Sequence, residues 1–175
     1  MYLVSIYFDE KTKKWIEKYT EDVAKKSGNT FMIDNNVPPH ITIAAFETDK
    51  VEDVIRALES GKNSINSGSI TWASIATFLP SVIYFAPVLN EYLHELSVNV
   101  NSIIRSIEGV KLSDKYIPFN WIPHTTIGKK LSKDEMKVAF DVLQNSFGMF
   151  SGRVVRIGIA KTNPYEDILS WELGE

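Results

Sequence analysis

Two short stretches of this chain share one pattern. Residues 37–46 read VPPHITIAAF and residues 118–130 read PFNWIPHTTIGKK; each sets a histidine behind a proline and two residues ahead of a threonine. Together they take two of the three histidines in a chain of 175 residues. In a β-strand, residues i and i+2 point to the same side. His40 and Thr42 then share one face, with Ile41 and Ile43 on the reverse. His124 and Thr126 repeat the arrangement, with Thr125 and Ile127 behind them. A helix would instead turn i and i+2 apart by about 200°. The fold therefore has to supply two strands whose rear faces join a core and whose front faces carry an imidazole beside a hydroxyl.

The rest of the chain supplies the same order of elements twice. Residues 2–8 alternate as a strand, and a helix follows over about 11–26 with Trp15, Ile16, Tyr19 and Val23 on one face, stopped by Gly28. After a polar loop, residues 40–46 form the first histidine strand. Asp49 and Glu52 have capping-box spacing ahead of a short helix carrying Val54, Ile55 and Leu58, closed by Gly61. Residues 70–79 read as a strand that turns at Pro80-Ser81. In the second half, residues 82–85 are a strand and 90–107 a long helix burying Tyr92, Leu93, Leu96, Val100 and Ile103. Residues 121–127 form the second histidine strand. Ser132 and Glu135 make another capping box, opening a helix with Met136, Phe140 and Leu143 inside. Residues 154–160 and 168–173 are closing strands joined by a turn at Asn163-Pro164. No linker rich in Gly, Ser or Pro divides the halves. The expectation is one α+β domain over 1–175, built of two similar lobes, approximately 1–80 and 81–175.

Composition narrows the function. Hydrophobic residues make up 44% and aromatics 11%, the balance of a globular chain rather than a disordered one. No run approaches the ~18 apolar residues of a membrane span, and MYLVSIYFDE lacks the basic start and long apolar middle of a signal peptide. A cytoplasmic location is the default expectation. The absence of cysteine excludes disulfides, thiolate chemistry and cysteine-ligated zinc. A net charge of −3 argues against broad binding to a nucleic-acid backbone while leaving room for a pocket that holds one phosphate.

Same-face neighbours lie about 6.5–7 Å apart along a strand, close enough for an imidazole and a hydroxyl to converge on one phosphate-sized group. Two such strands facing each other across a groove present two imidazoles, two hydroxyls and no carboxylate from either stretch. That set suits phosphoryl chemistry by general acid–base catalysis. A neutral histidine takes a proton from the attacking oxygen and a protonated one delivers a proton to the departing oxygen. An unperturbed pKa near ~6.5 lets both forms coexist around neutrality. The threonine hydroxyls donate to non-bridging phosphate oxygens. Two histidines with no carboxylate or thiol beside them are too few to hold zinc, so no metal is expected. His94, off the apolar stripe of its helix and without a following threonine, is expected to be exposed and to have no role.

These residues resemble the 2H phosphoesterase superfamily, the 2′-5′ RNA ligase-like proteins, whose two H-x-[ST]-x motifs stand here as HITI and HTTI. The likeness extends over almost the whole chain. FLP at 78–80 and the following VIYFAPV resemble the strand pair between the motifs, and NPYEDILSWEL is similar to the closing hairpin. The resemblance implies a bilobal, pseudo-twofold α+β fold, with antiparallel sheets around a central cleft and helices outside. It implies metal-independent, cofactor-free action on 2′,3′-cyclic phosphates or 2′-5′ phosphodiester bonds, in an RNA end or a small nucleotide; neither DNA nor a membrane is an expected partner. Under it His40 and His124 are catalytic, and Thr42 and Thr126 bind the substrate phosphate. Many relatives carry an arginine shortly after the second motif, where this chain has Lys129 and Lys130, which lack the bidentate fork. Strand parity favours Lys130 for the cleft side. Trp121, Phe78 and Tyr165 are further substrate-binding candidates, as base-stacking surfaces beside Phe119 and Tyr116. Two alternatives stand beside hydrolysis: the reverse reaction, joining RNA ends through a 2′-5′ bond, and a noncatalytic RNA- or nucleotide-binding module.

Overall fold

The computed structural model describes residues 1–162 and 165–174, with Asn63 described by its backbone alone. The turn expected at Asn163-Pro164 lies outside the described residues. The first strand, β1 (Tyr2–Phe8), alternates between two environments. Val4, Ile6 and Phe8 join the main core, while Ser5 and Tyr7 hydrogen-bond to residues of the opposite side. Helix α1 (Glu10–Ser27) starts at Asp9, whose carboxylate accepts from the Thr12 backbone N–H at 2.9 Å. It ends at Gly28, whose φ of 78° is the left-handed conformation that glycine adopts without a Cβ clash. A short helix, α2 (Phe31–Asp34), interrupts the loop expected before β2 (His40–Glu47).

Next come α3 (Val51–Gly61), β3 (Gly68–Phe78), β4 (Val82–Pro87) and α4 (Glu91–Arg105). Two residues of the loop after α4, Lys111 and Leu112, form β5 against the end of β2. The second half closes with β6 (Thr125–Gly128), α5 (Lys133–Ser146), β7 (Phe150–Lys161) and β8 (Glu166–Glu172). The strand order is β5-β2-β1-β7-β3-β4-β6, with β8 also on β7, and each of these pairings is antiparallel.

One strand joins the two flanks of this sheet. Along one edge β7 pairs with β1 over residues 154–161; along the other it pairs first with β3 and then with β8. Helices α3 and α4 pack on the β2 side, and α1 and α5 on the β4–β6 side, so each flank draws elements from both halves of the chain. The result is the expected α+β arrangement, an antiparallel sheet with helices packed against it. Its core is aromatic near the junction. Trp72 is fully buried, with the Phe8 ring edge-on at 4.9 Å and Phe150 stacked at 4.8 Å.

Several local expectations change. The Asp49–Glu52 capping box does not form: Lys50 is the residue before α3 and no side chain caps it, because the chain leaves β2 through a turn in which Thr48 bonds Lys50 instead. Ser132 and Glu135 do form theirs. Trp15 and Phe140 are 43% and 44% exposed, since the helix faces that meet the sheet are centred on Ile16–Val23 and Ala139–Leu143. In α4, Leu93, Leu96, Val100 and Ile104 are buried, while Tyr92 and Ile103 are only partly so. His94 is half-buried against the Phe119 ring at 5.0 Å rather than fully exposed. The second histidine strand is shorter than expected: Trp121 to His124 precede it, and Pro123 has no N–H to give to a neighbouring strand.

The reverse face of β6 is pinned by the Trp72 indole N–H, which donates to the Thr125 hydroxyl at 3.0 Å in a fully buried setting. A Thr125→Val exchange keeps the shape and leaves that N–H unpaired, which costs about 1–3 kcal/mol. Urea denaturation is expected to show a loss of that size with an unchanged m-value.

Candidate active site

Both histidines are held by the same local device. The Nδ1 of His40 lies 2.8 Å from the Pro38 carbonyl oxygen, and the Nδ1 of His124 lies 2.9 Å from that of Ile122. In each case the accepting carbonyl belongs to the residue two before the histidine and one before a proline. A residue ahead of proline is driven into the extended region, which here leaves its carbonyl facing back toward the imidazole. A carbonyl only accepts, so Nδ1 carries the hydrogen. The neutral ring then has its lone pair on Nε2. The proline in each motif is thus part of the site: it sets the tautomer.

The rings meet at one cavity of about 250 Å³. His40, Thr42, His124 and Thr126 line it, as do Lys129, Lys130 and Tyr165. The strand parity read from the sequence accounts for this convergence: Ile41, Ile43, Thr125 and Ile127 all lie buried behind it. Thr42 is itself 4% exposed and its hydroxyl lies 3.4 Å from that of Ser5 on β1.

The lysines depart from the parity argument. β6 ends at Gly128, and Lys130 takes a left-handed backbone with φ of 57°, so alternation stops and both side chains reach the cavity. The Lys130 ammonium sits 4.5 Å above the Phe31 ring, and that of Lys129 5.9 Å from it. Helix α2, absent from the sequence reading, therefore forms a wall that holds two cations by their attraction to an aromatic face.

Two stacking candidates stand elsewhere. Trp121 is 7% exposed and belongs to the core, because the segment before β6 turns its indole inward. Phe78 lies behind the site rather than in it. Its ring meets His124 edge-on at 4.8 Å and stacks on Tyr84 at 4.4 Å, so it braces the imidazole. Phe119 is 90% exposed and packs on His94, whereas Tyr116 does line the cavity.

Other neighbours were not legible in the motifs. Two phenols neighbour the His40 ring, with centroid distances of 6.3 Å to both Tyr7 and Tyr165. Tyr7 pairs with His40 across β1 and β2. Ser5 and Tyr7, polar groups alternating within an apolar strand, were the available signal for it; Asp167, which accepts from Tyr165 at 2.7 Å, had none.

Burial pulls the pKa of both histidines below the ordinary value of 6.5. For His40 the Pro38 carbonyl opposes this; His124 lowers the value further, Asp167 raises it and Lys129 lowers it. For His124 the Ile122 carbonyl opposes burial and Lys129 adds to it. Among the described residues no group of three His, Asp or Glu side chains stands close enough to hold a metal ion. No helix among them is long and apolar enough to cross a membrane.

Comparison with known proteins places this fold in a family. The family model described as the 2′-5′ RNA ligase superfamily matches residues 8–166, so the chain belongs to that superfamily, the 2H phosphoesterases. No curated protein matches it in sequence. Among solved structures it is similar to E. coli LigT complexed with ATP, with 15% identity, TM-score 0.62, and coverage of 99% of this chain and 97% of LigT. A crystal structure described as a phosphoesterase gives 15% identity, TM-score 0.63, and coverage of 99% and 98%. The PDE domain of MHV ns2 gives 12% identity, TM-score 0.52, and coverage of 98% and 99%. At such identities the likeness is one of fold.

The depressed histidine pKa values carry a stability consequence. Between the folded values and the unfolded value of about 6.5 the unfolded chain binds more protons, so this contribution is complete above pH ~6.5 and is lost as pH falls through the folded values. Urea midpoints taken from about pH 7.5 down to 5 are expected to fall. The fall should be shallower in a His40→Gln/His124→Gln double variant, and equal slopes would contradict the depressed titration.

Proposed function

We propose that this protein is a metal-independent phosphoesterase that opens 2′,3′-cyclic phosphates, or cleaves 2′-5′ phosphodiester bonds, at an RNA end or in a small nucleotide. The carrying observation is the delivery of two histidines, each with Nδ1 tied to a carbonyl, to one cavity with two threonine hydroxyls. His40 and His124 divide the proton transfers between them, one taking a proton from water and the other giving one to the leaving ribose oxygen. Thr42 and Thr126 donate to the non-bridging oxygens, and Lys129 and Lys130 offset the phosphate charge. Phosphate charge also draws protons onto the imidazoles, raising on binding the pKa values that burial lowers in the free site.

The cavity of about 250 Å³ falls just below the usual size of small-ligand sites, roughly 300–1,000 Å³. That size favours one phosphate with part of its nucleoside over a long strand. Structures of E. coli LigT with 3′-AMP and with phosphate support a nucleotide reading for the shared fold. The site's donor set also supports metal independence: it offers imidazoles, hydroxyls and ammonium groups, and among the described residues no group of three His, Asp or Glu side chains stands close enough to hold a metal ion.

Purified protein should open a 2′,3′-cyclic nucleotide in the presence of EDTA. Either His40→Ala or His124→Ala should lower turnover by about 100-fold or more. The kcat/KM profile, which reports the free enzyme, should be bell-shaped with its optimum on the acid side of about pH 6.5. Unchanged turnover in either single variant would remove the two-histidine mechanism.

A further inference from the structure

Beyond the two motifs, most neutral polar side chains around the cavity are already engaged. Tyr165 gives its hydroxyl to Asp167 at 2.7 Å and lies 3.0 Å from that of Tyr7. Thr162 gives its hydroxyl to the Met1 carbonyl at 3.2 Å, and Asn35 gives its amide N–H to the Phe31 carbonyl at 2.7 Å. Tyr116 differs. It lines the same cavity, and among the described residues its hydroxyl has no hydrogen-bond partner. Nor is that hydroxyl sealed in the core, where the unpartnered polar atoms belong to Ser97, Asn101 and Trp121.

The backbone fixes where this phenol stands. β1 covers one edge of β2, and β5 covers the other at Phe46 and Glu47. The segment after β5 closes more of that second edge. The Ser113 N–H donates to the Ala45 carbonyl at 2.8 Å, and the Tyr116 N–H donates to the Ser113 carbonyl at 3.0 Å. Asn101, 2% exposed on α4, completes the attachment: its amide nitrogen lies 3.3 Å from the Ile43 carbonyl oxygen and 3.2 Å from that of Tyr116. One side chain thus ties the first histidine strand to the turn that carries Tyr116. The same end of β2 brings in Leu3, which pairs with Ala45, and Thr162, whose N–H donates to the Met1 carbonyl. Leu3, Thr162 and Tyr116 therefore gather past Thr42 as an uncharged end of the cavity, whereas Lys129 and Lys130 stand against Phe31 of α2.

We propose that Tyr116 is a specificity-determining residue, its phenol O–H donating to the nucleoside of a substrate whose phosphate lies between the two histidines. This rests on the phosphoesterase reading and names the group that recognises the uncharged part of the substrate. The end formed by Leu3, Thr162 and Tyr116 receives that part, while the cations and the motif hydroxyls take the phosphate. Burial raises the Tyr116 phenol above the ordinary tyrosine value, so it stays protonated and acts as a donor around neutrality. Stacking would use the ring, and the proposed contact uses the hydroxyl, so the two roles are separable.

Tyr116→Phe keeps the ring and removes the hydroxyl. Affinities are measured by calorimetry with 3′-AMP, ribose 3-phosphate and inorganic phosphate as probes. The variant should bind 3′-AMP about 3- to 10-fold more weakly than the wild type, the loss of one neutral hydrogen bond, and inorganic phosphate equally well. A loss that persists with ribose 3-phosphate puts the acceptor on the sugar, and one that vanishes puts it on the base; both support the proposal. Equal affinities for 3′-AMP overturn it, because the ring alone then suffices. An equal loss for inorganic phosphate overturns it as well, since the whole cavity is then disturbed, and so does a wild type that fails to bind 3′-AMP. Removing an unpartnered hydroxyl should leave the urea midpoint unchanged or raised; a lowered midpoint would give that hydroxyl a partner inside the protein and is equally fatal. Calorimetry needs no turnover, so a wild-type protein inert toward every cyclic phosphate would end the phosphoesterase reading and leave the binding measurements to decide the Tyr116 contact.

Discussion

The structure depends on the backbone pairing of β7. This strand gives one edge to β1 and divides the other between β3 and β8, so both flanks of the sheet hang on its hydrogen bonds. With β1 and β2 on one side of it and β3, β4 and β6 on the other, the two histidine-bearing segments are set into a common framework. The alternation of side chains does the rest. Each motif segment buries its isoleucines, with Thr125 in the second, and turns its histidine and the threonine two residues on to the cavity. A slip of one residue in either strand would reverse both faces at once, exposing apolar side chains and burying the imidazole. Core packing and site geometry are therefore the same constraint seen from two sides.

Preorganisation within the site comes from short-range contacts. The carbonyl ahead of each proline fixes a tautomer, aromatic rings brace His124, and phenols neighbour His40. None of these contacts needs the substrate. Each imidazole is thus oriented before any ligand arrives. Local positive charge from Lys129 and Lys130 coexists with a net charge of −3 for the whole chain. Two cations thus line one cavity of a chain whose overall charge is negative.

The motif residues were legible because their information is local. His40 and Thr42 stand two apart, as do His124 and Thr126, and the period of a strand converts that spacing into a shared face. The elements around them were legible for similar reasons: Gly28 ends α1 and Ser132 with Glu135 opens α5. Trp121 and Phe78 were placed less well. An aromatic near a motif is as able to brace or to fill as to stack, and a one-dimensional reading holds no measure of which way a loop turns. Asp167 and Asn101 gave no sign at all, since their partners, Tyr7 for one and the Ile43 and Tyr116 carbonyls for the other, come from other elements of the fold.

Residue order alone was enough to show two imidazole–hydroxyl pairs on extended segments with apolar backs, a proline ahead of each histidine, and no access to cysteine chemistry. The assembled fold was needed to show that the pairs share one cavity and that Lys129 and Lys130 both reach it. The reason is the range of the forces involved. Strand periodicity and proline geometry act over two or three residues, whereas the electrostatic setting of a titratable ring is summed over whatever the fold brings within several ångströms, irrespective of chain order.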